Sequence, residues 1–337
     1  MLADEASKAP KLALAGIGEF ALRPIAHGDI AEYTKIPKPY YDRMLAEAPE
    51  LLANNVNRWF GKYGDGGASR MVRTLDGFVR CLLSEAYRPL DNFDLAKAIL
   101  PVLAERKLEI VSCEVTERRL YLKAIDTTEV KVPVGYKMGD GSHQIFDCCA
   151  PALIASNSEV GYGRLTLETG IYTKGCTNLS WWAEGGMKRT HVGARHKLTD
   201  AMQVENIDHL LSDKTKKITD AAIWSQVGDL VKAAFDPALL AKRCDKLTAA
   251  AQNKIGGKVA KVIEVTAERF GLNAGEQESV LQHLIEGGSL TQYGLQAAIT
   301  RTAQDAADYD RATELEYLGG RVIELGQQEW AELASAV

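Results

Sequence analysis

Between Tyr162 and Lys197 the chain interleaves rings with cations: Tyr162, Arg164, Tyr172, Lys174, Trp181, Trp182, Lys188, Arg189, Arg195 and Lys197. Lys and Arg neutralise phosphates, and aromatic faces stack on unpaired bases whatever their identity, so this mixture suits a single-stranded polynucleotide. Arg73, Arg80, Arg118 and Arg119 extend such a surface if their strands share a sheet face. From Lys174 to Lys197 five basic residues face the single acid Glu184, with His191 and His196 in addition. The alternative assigns Trp181 and Trp182 to a core or a subunit interface and the cations to a solvated rim.

Other chemistry finds less support. Gly16, Gly18 and Ala21 match the dinucleotide fingerprint, but Pro24 cuts into the helix that would receive a pyrophosphate, so the segment reads as a turn. No phosphate-binding loop with its lysine is present. Cys148, Cys149, Cys176, His191 and His196 match no compact zinc spacing, and small buried cysteines are common in cores. Asp140, Asp147, Glu159 and Glu168 lack the lysine arrangement of a metal-dependent nuclease and read as solvated carboxylates. No catalytic motif emerges, and no cofactor or metal is expected.

These residues sit in a chain of 337, 46% hydrophobic and 25% charged, with a net charge of −5, which is ordinary globular composition. Six cysteines without a C-x-x-C pair, an acidic start and no apolar run of membrane length point to a cytoplasmic protein away from membranes. The charge is uneven, since three Arg face eight acids from Arg301 to the end.

The elements that must position the cluster follow from pattern. Residues 1–36 read as irregular; Pro37 and Pro39 open one short helix and Pro49 another. Asp76-Gly77 supplies the turn of a hairpin carrying Arg73 and Arg80. A helix over 92–106 precedes a second hairpin, 108–115 with 119–125, in which Leu120, Leu122 and Ala124 face away from Arg119, Tyr121 and Lys123. Two more strands are expected at 151–156 and 164–172. From Thr199 the period is helical, with Asp236-Pro237 as a start, a capping box at Ser289 and Gln292, and a last helix near 309–325 interrupted by Gly319-Gly320. The expected fold is α+β: an antiparallel sheet of β-hairpins flanked by helices over 37–198, then a mostly helical region over 199–337.

The ordered series Ile36 to Tyr40, Arg73 to Gly77 with Arg80, Leu83-Ser84 with Tyr87 to Asp91, and Asn157 to Gly161 resembles a phage and plasmid family, the domain of unknown function nine-three-two. Cys176 to Asn178, Arg195-His196, Ser289 to Leu295 and Ala303 to Leu325 continue the match over most of the chain. Leu179, Ser180 and the tryptophan pair depart from the glycine and methionine that the family often carries there. The family has no settled activity; the resemblance implies a mobile-element origin. Hairpins flanking a helix are more remotely similar to single-strand annealing proteins of the RecT and Red-beta type, which form rings or filaments and act without ATP.

Together these readings lead us to expect a non-enzymatic single-stranded DNA binding and annealing protein of phage or plasmid recombination. Its partners would be single-stranded DNA, further copies of itself, and a phage exonuclease or host single-strand binding protein. One alternative is a structural or protein-interaction factor of a mobile element without nucleic-acid affinity. Another is a metal-dependent enzyme using Asp147, Glu159 or the Cys/His group.

Overall fold

A computed structural model describes residues 1–2, 9–64, 69–85, 87–135, 146–174, 177–191, 196–199, 202–204 and 212–336. Its contacts divide the chain into unit 1, Met1–Leu90, Ser158–Arg164 and Thr190–Lys217, and unit 2, Asp91–Asn157, Leu165–Arg189 and Ile218–Val337. The division therefore differs from the contiguous 1–36, 37–198 and 199–337 expected from composition. Long antiparallel strands pair residues far apart in the chain, so one compact body gathers several segments.

Unit 1 begins with β1 (Leu12–Leu14) and β2 (Gly18–Leu22), which occupy the stretch expected to be irregular. The Gly16 turn, at φ +73°, closes this antiparallel pair, in keeping with a turn in place of a dinucleotide loop. Helix α1 (Pro24–Thr34), opened by Pro24, also lies in the stretch expected to be irregular, and α2 (Lys38–Glu47) and α3 (Pro49–Gly64) follow, opened by their own prolines. Strands β3 (Arg70–Leu75) and β4 (Phe78–Ser84) form the expected hairpin, and both Asp76 and Gly77 adopt the positive φ that such a turn requires. The sheet order is β1-β2-β4-β3, with β2 and β4 parallel. Val79 and Cys81 point into its core, and Tyr41, Met44, Leu52 and Val56 bury the helical layer.

Unit 2 opens with α4 (Asn92–Glu105), then β5 (Glu109–Val115), β6 (Leu120–Ile125), β7 (Val130–Pro133), β8 (Phe146–Asn157), β9 (Leu165–Thr173) and β10 (Asn178–Arg189). The antiparallel order is β10-β9-β8-β6-β5, with β7 beside β8. The two-stranded pair β11 (His196–Thr199) and β12 (Met202–Val204) belongs to unit 1, and the rest of the chain is helical: α5 (Asp213–Ala233), α6 (Pro237–Gln252), α7 (Val259–Phe270), α8 (Ala274–Gly287), α9 (Gln292–Asp305), α10 (Tyr309–Ile323) and α11 (Gln327–Ala334). An α+β fold with hairpin strands and a helical C-terminal region is what the pattern predicted.

Two local readings are corrected. The cap of α9 is Thr291, whose hydroxyl accepts from the Gly294 N–H, and not Ser289. Gly319 and Gly320 do not interrupt α10. A Cβ at Gly320 would collide with the Trp181 carbonyl and one at Gly319 with the Thr300 methyl, so these glycines let the helix lie directly on β10 and α9.

Candidate nucleic-acid interface

The register of the six-stranded sheet decides the fate of the tryptophans. Trp181 pairs with Gly170, which pairs with Ala152, and Ala152 with Ile125, so all four share one face; Trp182, its neighbour, takes the other. Helices cover both faces. Trp181 is 1% exposed and packs with Tyr121, Ile154, Tyr309 and Tyr317, while Trp182, also 1% exposed, packs with Leu240, Cys244 and Ile171. Neither ring can stack on a base, which corrects the reading of both as polynucleotide contacts.

Their surroundings contain charges that pattern reading placed on the surface. Lys123, 2% exposed, sends its Nζ to Glu316 at 2.8 Å, and the Trp181 Nε1–H donates to the same carboxylate at 2.6 Å. Burial pushes the Glu316 carboxyl up, against the pull of Lys123. Glu168, 3% exposed, pairs with Lys188 at 2.8 Å and takes a hydrogen bond from Tyr317. Thr116 donates to Asp310 at 3.2 Å, and Ser112 meets the Tyr309 hydroxyl. On the opposite face the guanidinium of buried Arg243 lies 5.2 Å from the Trp182 ring centre and bonds the Gly170 carbonyl at 3.3 Å. These groups clamp α10 and α6 to the sheet; they are enclosed and paired, an arrangement that fixes position and does not bind a polymer.

The remaining predicted residues of unit 2 do not form one patch. Lys188 stands opposite Thr166 and Lys174 follows Thr173 on β9, an offset of about 26 Å along the strand at ~3.3 Å per residue. Lys174 is exposed and paired with Glu129. Tyr172 and Arg189 are half-buried. Arg118 is exposed at the β5–β6 turn, and the Arg119 guanidinium lies 5.9 Å from the Tyr121 ring centre.

Unit 1 holds the others. Arg80 is the extra residue of a bulge opposite Arg73 and Thr74, and its Nη1 pairs with Glu159 at 2.6 Å. That pair helps lock the loop Ser158–Arg164. Tyr87 donates to the Ser158 carbonyl at 2.9 Å, Ser158 Oγ accepts from the Tyr162 N–H at 2.9 Å, and Gly161 sits at φ +83° with the Leu83 side chain beside it. The fixed loop presents Tyr162, 50% exposed, two residues from exposed Arg164. The same unit sets Arg23 over the Phe78 ring at 4.1 Å, Arg70 over Tyr33 at 5.0 Å and Lys62 over Trp59 at 4.8 Å. Sequence reading missed the first two pairs because their partners lie far apart in the chain, whereas Lys62 and Trp59 are neighbours on one turn of α3. Unit 1 carries 18 Lys and Arg against 16 Asp and Glu, while unit 2 carries 22 against 29, so unit 1 is +2 and unit 2 is −7. Lys197 lies in β11 opposite Gln203, while Arg195 and Cys176 lie outside the described residues.

Among the described residues no group of three His, Cys, Asp or Glu side chains is placed to hold a metal ion. Burial pushes the thiols of Cys81 and Cys149 up to about 12, which keeps them protonated and poorly nucleophilic. Glu159 is committed to Arg80, and Asp147 accepts from the Tyr293 hydroxyl. Among the described residues no helix is long and apolar enough to cross a membrane. No family model, no curated protein and no solved structure matches this chain.

Proposed function

We propose that the protein binds and anneals single-stranded DNA without ATP, in phage or plasmid recombination, and that unit 1 makes the contact while unit 2 serves as scaffold. The observation that carries this reading is the locked Ser158–Arg164 loop, which exposes a ring and, two residues on, a cation. Stacking of one base on Tyr162 with Arg164 on the adjacent phosphate needs only that pair and is indifferent to sequence. The net positive charge of unit 1, within an acidic chain, supports the same assignment. The ordered motifs resembling the family nine-three-two support the mobile-element setting, with a phage exonuclease or host single-strand binding protein as the further partner.

Fluorescence anisotropy with a labelled oligothymidylate at low salt tests it. Binding that weakens steeply with salt, and falls in Tyr162→Ala and Arg164→Ala but not in Trp181→Phe, is the expected result; folded protein that leaves the oligonucleotide free removes the proposal.

The second reading, an assembly factor without nucleic-acid affinity, draws on β5. Among the described residues it is the end strand of its sheet, and it exposes Ile110 and Val115 along that edge. Sizing by light scattering separates the two, because an oligomer indifferent to oligonucleotide supports assembly alone.

A further inference from the structure

Unit 2 contains a cavity of about 430 Å³ at the junction of α8, α9 and the start of β8. Val134, Leu284 and Ala298 give it an apolar part, and polar and charged side chains line the rest. Some of those are engaged already: Asn178 bonds the Ala297 carbonyl and Gln304, and His283 Nε2 lies 2.8 Å from Asp305. Glu286 also lines the cavity, taking Gln282 Nε2 on Oε1 at 2.8 Å and lying 3.6 Å from His283 through Oε2. Two further charges, of opposite sign, keep capacity. Asp147 takes the Tyr293 hydroxyl on Oδ2, which leaves Oδ1; Arg301 gives Nη1 to Gln304 at 2.5 Å, which leaves its other N–H groups. An apolar body between a carboxylate and a guanidinium describes the complement of a zwitterion, and the volume falls within the ordinary range for small-molecule sites, about 300–1,000 Å³.

The spacing narrows the class. Tyr293, which holds Asp147, and Arg301 are eight residues apart on α9, about 12 Å along its axis at ~1.5 Å per residue. An axial separation of that size favours an elongated zwitterion over a free α-amino acid. Two or three extended residues reach about 7–10 Å, and the side chains cover the rest. We propose that this cavity binds a short apolar peptide with free ends, its ammonium on Asp147 and its carboxylate on Arg301. The site lies wholly in unit 2 and is independent of the polynucleotide proposal.

Isothermal titration of the full chain with leucyl-leucine tests it, alongside N-acetyl-leucyl-leucine and leucyl-leucinamide. Binding of the free dipeptide is expected, with a loss of about tenfold or more when either end is blocked, in keeping with a charged hydrogen bond. Asp147→Asn should produce the loss at the ammonium end and Arg301→Gln at the carboxylate end. Arg301 is exposed, so its variant keeps the test valid if the Asp147 variant folds poorly. No heat from leucyl-leucine with folded protein, or equal affinity for the blocked forms, or an Arg301→Gln variant that binds as before, overturns the proposal.

Discussion

Both units contain rings beside cations, but they use them oppositely. In unit 1 the Arg23, Arg70 and Lys62 pairs and the Tyr162–Arg164 loop lie on or near the surface. In unit 2 Trp181, Trp182, Lys123, Glu168 and Arg243 are buried between sheet and helices. Identical residue types thus serve as surface chemistry in one body and as interior anchors in the other. The difference follows from layering: a sheet covered by helices on both faces leaves its central strands, such as β6 and β8, almost no face for solvent, whatever their alternation.

The comparison predicts large stability effects from the interior of unit 2 and binding effects from the surface of unit 1. Lys123→Ala leaves Glu316 buried without its cation and should cost about 3–5 kcal/mol in urea unfolding, whereas Lys123→Met with Glu316→Leu should recover most of it. An exposed, tolerant Lys123 would break the contrast. Gly320→Ala drives a methyl into the Trp181 backbone and should cost about 1–3 kcal/mol, read as a lowered thermal midpoint. Tyr162→Ala should change stability by under about 0.5 kcal/mol while weakening oligonucleotide affinity by ~1–3 kcal/mol, measured by anisotropy.

The smallest effect concerns Asp29, whose carboxyl accepts from the Leu82 N–H at 2.8 Å and which burial, against that bond, pushes up to about 6. The folded state holds this proton more tightly than the unfolded chain, so the side chain's contribution is full below pH ~4 and is lost as pH rises through about 6. Asp29→Asn should therefore match the parent at pH 4 and exceed it at pH 7 by no more than about 1 kcal/mol after solvent screening, read as a difference in urea midpoint.

Much of the architecture was readable in one dimension. Asp76-Gly77, Pro49 and Asp236-Pro237 act through local backbone preferences, so the β3–β4 turn, α3 and α6 begin where those residues predict. The strand β10 was not read, because a stretch rich in Gly, Trp and Lys has no clean period of two, and its bulge between Trp182 and Met187 shifts the alternation. The β6 alternation was read as one buried and one open face, yet Leu120 to Ile125 are buried throughout. The run of small and apolar residues over β8, buried without a break from Cys149 to Asn157, is the signal that would have pointed to a sheet covered on both faces, where helices on one face were expected.

What one dimension determines here is the local grammar: turns, caps, helix starts, and an α+β order of hairpins followed by helices, all set within a few residues. Which cations meet which rings was decided only when α10 and α6 closed over the two faces of the sheet. Burial depends on what a distant segment covers, and Lys123 lies almost two hundred residues before the carboxylate that neutralises it. Long-range pairing of that kind leaves no mark on neighbouring residues, so the tryptophans that looked most like a polymer surface became the centre of the core.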